Sequence, residues 1–478
     1  MTPNRRQNAI GCLAIVKIIV HMPNPNNENA MAPLTAADVV HGLNQRASWP
    51  AKWRRWRQPA VRLIIWLLAV VMLYVIVEFK TVLFFEYLHS PHELVWKAYG
   101  VVIAVFLLSR FVIADLYHDE HPVDLPDSIF PSVSVIVAAK NEVGNIFRTI
   151  STIMHSVYPG PLECIAVNDG STDGTGAQMA QAASECRIKN GVTIITFPVN
   201  QGKRQAMAAG IKAAKGEIII FVDSDSFVAP DGIRDIVEHF IQDERIGAVT
   251  GNTGVENRDV NVLTRMQSAR YGVAYDIFKV CESIFGVVTC CSGCFSAYRR
   301  SAVVDVVEAW RTQTFFGSPS TFGDDRSLTN YVLRRWRVIY CRRAYATTVV
   351  PEKFMPFLRQ QLRWKKSWVR EGTAAAKFMW RKHPIASWSF YTNLILPVVG
   401  PIVVFHGLLV PLAHLHLPGF YLGGVVALSA LFGLFYRLRS WNTTWWYVML
   451  FSLVYVFVLV WQMPYALVRL TDTSWGTR

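Results

Sequence analysis

Hydrophobic positions along this chain fall into two textures. Near both ends they gather into long apolar runs, and between them they recur in short blocks separated by polar residues. Residues 61–79 form the first run, and about 20 apolar residues suffice to span hydrocarbon as a helix. A second run, 99–113, extends backwards through Leu94 and Trp96, so the two predict a helical hairpin. From Pro131 the pattern changes. Residues 132–138, 162–168, 192–197 and 217–223 are short β-rich runs, with helical patterning over 142–154, 175–186 and 204–214. This β-α-β-α alternation predicts a largely parallel sheet covered by helices. Ligands of such sheets bind beyond the carboxyl ends of the strands. After about Lys377 the apolar texture returns in 389–412, 420–436 and 445–467, the first broken by Pro397, Gly400, Pro401 and Pro411.

The expected organisation follows from these textures. A loosely ordered cytoplasmic tail occupies 1–58, two transmembrane helices lie within 59–116, and an α/β domain with an interfacial helix spans 131–377. Transmembrane or re-entrant helices follow over 385–470, and a short C-terminal motif closes the chain over 471–478. The apolar stretch 10–20 follows Arg5 and Arg6, but Lys17 interrupts it and no small-residue cleavage site follows. It is therefore not read as a signal peptide.

Composition narrows the class. Of 478 residues 52% are hydrophobic, and the formal net charge is +14. A basic balance can signal nucleic acid, but here Lys52, Arg54, Arg55, Arg57 and Arg62 precede the first apolar run, and Arg437 and Arg439 follow a later one. Lys and Arg in those places mark the cytoplasmic flanks of membrane helices, so no nucleic-acid partner is expected. The eight cysteines have no framework spacing, which points to a reducing compartment. Cys291 and Cys294 make a CxxC beside Cys290, with no second CxxC or His pair to complete a zinc site. They are read as buried free thiols.

Chemistry-bearing residues sit at the strand ends. The second strand runs into Asn168-Asp169-Gly170-Ser171. A carboxylate there can accept the N–H of a base, with room for a ribose, or it can form an Asx-type turn capping the next helix. The fourth strand ends in Asp223-Ser224-Asp225. Two carboxylates beside a buried apolar strand are costly unless their charge is compensated, and a divalent cation shared with a diphosphate would do so. Gln201-Gly202-Lys203-Arg204 lies upstream and can bring positive charge to the same diphosphate, although it lacks the P-loop spacing. Gly323-Asp324-Asp325 opens a predicted helix, either as capping carboxylates or as the source of a general base. Last, Gln360, Arg363 and Trp364 share one helical face. Arg363 can fork onto phosphate and Trp364 offers a flat surface to a sugar, while the same helix also reads as an amphipathic interfacial one.

In this order, Asp-Gly-Ser, Asp-x-Asp, Gly-Asp-Asp and Gln-x-x-Arg-Trp resemble glycosyltransferase family 2, and within it the membrane-integrated hyaluronan, chitin and cellulose synthases. The match runs over about 132–370 and resumes at 473–478. It implies a GT-A-type, Rossmann-like α/β domain joined to an α-helical transmembrane bundle. It also implies roles. Asp169 would contact uracil; Asp225, with Asp223, would bind Mg²⁺ or Mn²⁺ on the UDP diphosphate; Asp325 would be the catalytic base. Gln360, Arg363 and Trp364 would frame the diphosphate and the acceptor sugar, and Trp475 and Arg478 belong to a Trp-Gly-Thr-Arg end similar to one that closes over the nucleotide.

This chain carries Asn168 where the family pattern has Asp, and Cys294 where hyaluronan synthases have Pro. The Gly-Asp-Asp-Arg run and the terminal motif look most like hyaluronan synthases, whereas Tyr298-Arg299-Arg300-Ser301-Ala302 also matches the chitooligosaccharide synthases of nodulating bacteria. The expected function is processive, inverting polymerisation from UDP-GlcNAc with UDP-GlcUA, and extrusion of the polysaccharide through a bacterial plasma membrane from a cytoplasmic domain. A chitin-type product from UDP-GlcNAc alone is the alternative. Lys203, Arg204 and Arg326 are candidates to accommodate the uronate charge. A lipid-linked monosaccharide transferase would not need Gln-x-x-Arg-Trp, and a passive channel would not need the carboxylates.

Overall fold

The computed structural model describes residues 91–117, 125–185, 191–440 and 443–472, with scattered positions between 63 and 74. The predicted tail, most of the first apolar run and the terminal motif with Trp475 and Arg478 lie outside the described residues. The domain is built on an eight-stranded sheet in the order β3-β2-β1-β4-β7-β6-β10-β5. Its strands are β1 Val133–Ala139, β2 Leu162–Asn168, β3 Val192–Thr196, β4 Ile218–Phe221, β5 Ser226–Val228, β6 Ile246–Val255, β7 Ser296–Arg299 and β10 Arg337–Thr348; a separate hairpin pairs β8 Thr314–Phe315 with β9 Ser318–Pro319.

The first four strands pair in parallel, as the alternation predicts. The other half is mixed. β7 runs antiparallel to both β4 and β6, and β5 antiparallel to β10, although β10 and β6 are parallel. The expectation of a largely parallel sheet therefore holds for one half only. The reversal has a consequence for the site: Ser296, the first residue of β7, pairs with Phe221, the last of β4. The loop entering β7 thus lies at the carboxyl edge of the sheet, beside the Asp223-Ser224-Asp225 turn.

Helices cover both faces because the strands are apolar on both. On one face pack α2 Ile146–Met154, α3 Thr175–Glu185 and α5 Gly232–Gln242, through Ile146, Ile150, Met179, Ile233 and Phe240. The other face is covered by α4 Lys203–Ala213, α6 Val262–Val273, which continues as a π segment to Lys279, and α7 Asp324–Leu333. That second core does not stop at the domain. It takes in Leu108 and Phe111 of α1 Pro91–Leu116, Met379 of α8 Phe354–Met379, Phe432 and Phe435 of α10 Gly419–Ser440, and Val448 of α11 Tyr447–Val454. Domain and apolar helices share one packed interior.

Among the described residues one helix, Pro384–Ala413, is long and apolar enough to cross a bilayer; it begins with α9 Pro384–Val404. The third apolar run is split. Tyr447–Leu459 and α12 Gln462–Val468 meet at a 50° bend, beside the Gln462 and Pro464 that interrupt the run in sequence.

Candidate active site

The loops after β1 and β2 are laced together. Asn141, at a positive φ of 54°, accepts the Thr172 N–H at 3.0 Å, and the Glu142 N–H donates to Thr175 Oγ1 at 2.7 Å. Asp173 accepts from the Thr175 N–H at 2.9 Å, so the capping role belongs to Asp173. Asp169 does something else. Its buried carboxylate accepts the N–H of Gln201 at 2.7 Å and of Gly202 at 3.0 Å. Gly170 makes this approach possible, since a Cβ there would lie 2.4 Å from Asn200 N. Asp169 therefore pins the loop that leads into α4.

The first two residues of α4 point to different carboxylates. Lys203 pairs with Asp223, the side chains 28% and 26% exposed, so this pair lies where a ligand can reach it. Arg204 pairs with Asp324 at 2.7 Å, both side chains 5% exposed and sealed from solvent. Burial opposes the charge of Lys203, but Asp223, with Asp324 and Asp325, holds its pKa above the ordinary range. Burial, and then the charge of Asp223, pushes Asp225 up to about 6, against the pull of Lys203. Thr348, at the end of β10, donates to Asp225 at 3.3 Å. On the other side Gly293 fits against Asp223, where a Cβ would stand 3.0 Å from Oδ1.

Gly323 places the third motif. It caps α7 in the left-handed region, φ 80°, and a Cβ would fall 2.0 Å from Ser367 Oγ on α8. Asp325 then sits in the first turn of α7, its carboxylate accepting the Arg326 N–H at 2.7 Å and facing Cys290 Sγ at 3.6 Å. Arg363 of α8 is held beside the cluster. Burial lowers its pKa, while Asp325, Asp223, Asp324 and Asp225 all act to raise it. Trp364 lies under the guanidinium of Arg270, 5.6 Å from its ring. Gln360 stands a turn earlier, with a buried Oε1 that accepts no hydrogen bond among the described residues.

The structure thus gathers Lys203, Asp223, Asp225, Asp325 and Arg363 at one edge, with Asp169 supporting from behind. Arg204 is a correction to the sequence reading, because it is buried on Asp324 and not available to a sugar carboxylate. Gln313 and Thr348 are residues that motif reasoning passed over, and Cys290 was read only as a thiol, not as a neighbour of Asp325. No local signal marks them; each matters through a partner far away in sequence. The donor set suits a cation with few protein ligands. Among the described residues no group of three or more His, Cys, Asp or Glu side chains gathers to cage one, so Asp223 and Asp225 would leave the remaining positions to phosphate and water. Burial, and then the charge of Asp223, pushes the neighbouring Cys294 thiol up to about 12.

A sheet that presents carboxylates beyond its carboxyl ends, with the Asp325-bearing helix α7 beside them, is that of a GT-A-like glycosyltransferase. The profile of Glycosyl transferase family 2 matches residues 134–307, and this chain belongs to that family; it is a glycosyltransferase. It is 28% identical over 386 residues to the hyaluronan synthase of Streptococcus pyogenes, covering 80% of this chain and 90% of that one. It is 30% identical over 386 residues to an N-acetylglucosaminyltransferase of Azorhizobium caulinodans, covering 80% and 94%. Among solved structures it resembles the mannosyltransferase PcManGT of Pyrobaculum calidifontis, with a TM-score of 0.53 and 21% identity over 77% of this chain and 99% of the other. At that identity the likeness concerns the fold.

Proposed function

We propose that this chain is a membrane-embedded processive synthase that transfers GlcNAc, in alternation with GlcUA, from UDP donors and extrudes a hyaluronan-type polymer. The observation that carries the transferase chemistry is the convergence of Lys203, Asp223, Asp225, Asp325 and Arg363 at one sheet edge. The likeness to hyaluronan synthase over most of the chain supports the polymer. Similarity to a named N-acetylglucosaminyltransferase, together with Cys294 in place of Pro, favours the second reading, a chitin-type product from UDP-GlcNAc alone.

In either reading the steps are the same. Asp325 takes the proton of the acceptor hydroxyl, and the oxygen so freed attacks the anomeric carbon. The bond from that carbon to the β-phosphate oxygen breaks, the configuration inverts, and UDP leaves. Lys203 and Arg363 lie where they can take up charge on the departing diphosphate. A divalent cation, Mg²⁺ or Mn²⁺, when bound by Asp223 and Asp225, supplies further neutralisation of that leaving group. Trp364 gives the acceptor sugar a flat apolar face. Apolar helices that share the domain's core fit a catalytic domain mounted on the cytoplasmic face of the bilayer, with the polymer leaving through the bundle.

The test is the product. Purified protein given both UDP-GlcNAc and UDP-GlcUA should make polymer that hyaluronidase degrades, and little with either donor alone. A chitinase-sensitive product from UDP-GlcNAc, unchanged by UDP-GlcUA, would install the second reading.

A further inference from the structure

We propose that Arg204 is a positioning residue for glycosyl transfer, acting through Asp324 on the base Asp325; this rests on the reading of Asp325 as the base. Three observations converge on it. The Arg204 guanidinium is held through two of its nitrogens and its face: Nε donates to Asp324 at 2.7 Å, Nη1 donates to the Trp310 carbonyl at 2.9 Å, and its carbon lies 5.2 Å from the Trp310 ring. Trp310 in turn donates its indole N–H to the Asp324 carbonyl at 3.2 Å. The first turn of the base's helix is therefore held by side chain and backbone together.

Next, the clamp reaches α8. Gln313, 3.5 Å from Arg204 Nη1, donates to Glu371 at 3.1 Å and accepts from Ser327 of α7, while Asn330 of α7 donates to the Glu371 carbonyl at 2.9 Å. Glu371 lies two helical turns beyond Arg363 on the same helix. Finally, Arg204 follows Lys203 directly. One peptide unit joins the cation committed to Asp223, on the donor side, to the cation committed to the neighbour of the base, and Asp169 holds the loop ahead of both. The start of α4 is thereby tied both to the carboxylate on the donor side and to the neighbour of the base.

Stability alone is a weak reason for such a pair. A buried ion pair often stabilises no more than apolar side chains of the same volume, and here Arg204 Nη2 is buried with no hydrogen-bond partner among the described residues. That contrast supplies the experiment, done on the purified full-length protein. The double variant Arg204→Met/Asp324→Leu should keep a melting temperature near that of the parent and bind UDP within about twofold, yet turn over on the order of 100-fold more slowly, the scale of a misplacement of about 1 Å at a reacting group. Recovery of both stability and turnover in the double variant would overturn the proposal. Should that variant fail to fold, Arg204→Lys decides. It keeps the charge but loses the fork, and is expected to lower kcat about tenfold with KM little changed; an unchanged kcat overturns the proposal. Asp325→Asn is run alongside. If it is active, the base assignment falls and this inference with it; if it is inactive beside a fully active Arg204→Lys, only this inference falls.

Discussion

Gly323 and Ser367 are packed so closely that a Cβ on the glycine would lie 2.0 Å from the serine Oγ. The contact sets the distance between the Asp325-bearing start of α7 and the helix that carries Arg363 and Trp364. Gly323 also has a φ of 80°, which a side chain disfavours. Gly323→Ala is expected to cost about 1–3 kcal/mol of stability and to lower kcat more than UDP affinity. Thermal unfolding and steady-state kinetics check this. Adding Ser367→Gly removes the clash but not the backbone strain, so it should restore activity in part.

Asp225 gives the site a pH dependence whose sign can be worked out. Burial and Asp223 raise its pKa in the folded protein to about 6, from an ordinary value of 3.8. Between those values the folded chain binds more proton than the unfolded one, so this group's contribution to stability is greatest below 3.8 and is lost as pH rises through about 6. Cation binding runs the other way, since it needs the carboxylate. Calorimetric titration of the protein with UDP and Mn²⁺ should show affinity falling about tenfold per pH unit below about 6, and a chelator should abolish the dependence. Affinity that stays flat from pH 5 to 7.5 would argue against Asp225 as a ligand.

Asp169 and Asp173 stand four residues apart and should respond differently to the same change. Asp169→Asn replaces one of two oxygens that accept backbone N–H groups, so that either Gln201 loses its acceptor or Gly202 keeps only Asn200 Oδ1 and faces an amide donor. The expected cost is about 1–3 kcal/mol, with UDP binding weakened as Lys203 shifts. Asp173→Asn keeps a good helix cap and should be close to neutral in both melting temperature and UDP affinity.

Lys366 of α8, buried, donates to Asp472 at 3.2 Å, which ties the end of the described chain to the helix beneath the active site. The residues after Asp472 are accordingly expected on the same side of the bilayer as the catalytic domain. A cleavable tag placed after Arg478 should be removed by protease in inverted membrane vesicles and protected in right-side-out ones. The opposite pattern would break the proposed closure by Trp475 and Arg478.

Local pattern carried much of the first half of the domain. β2 begins and ends where its apolar run does, at Leu162 and Asn168, and α3 and α4 fall within a residue of their helical patterning. Those elements are bounded by turn residues and pair in sequence-local βαβ units, so their signals lie close together. β5 and β7 were not legible. β5 is three residues long, and β7 is defined by insertion between β4 and β6, strands far from it in the chain. Asp169 shows the same limit at the site, since its motif spacing marked it as functional while its partners lie some thirty residues away.

By itself, then, the sequence determined the composition of the site: which carboxylates follow which strands, that a basic dipeptide opens α4, and that Arg and Trp ride one helix after the Gly-Asp-Asp turn. These follow from local spacing, because a strand end or a helix face is settled within a few residues. Only the tertiary structure decided how those groups divide their work. Lys203 and Arg204 are adjacent and both basic, yet one meets Asp223 at the open cleft and the other meets Asp324 in the sealed interior. Successive residues of a helix point about 100° apart, so neighbours in sequence face different partners, and which partners those are depends on what the fold packs around them.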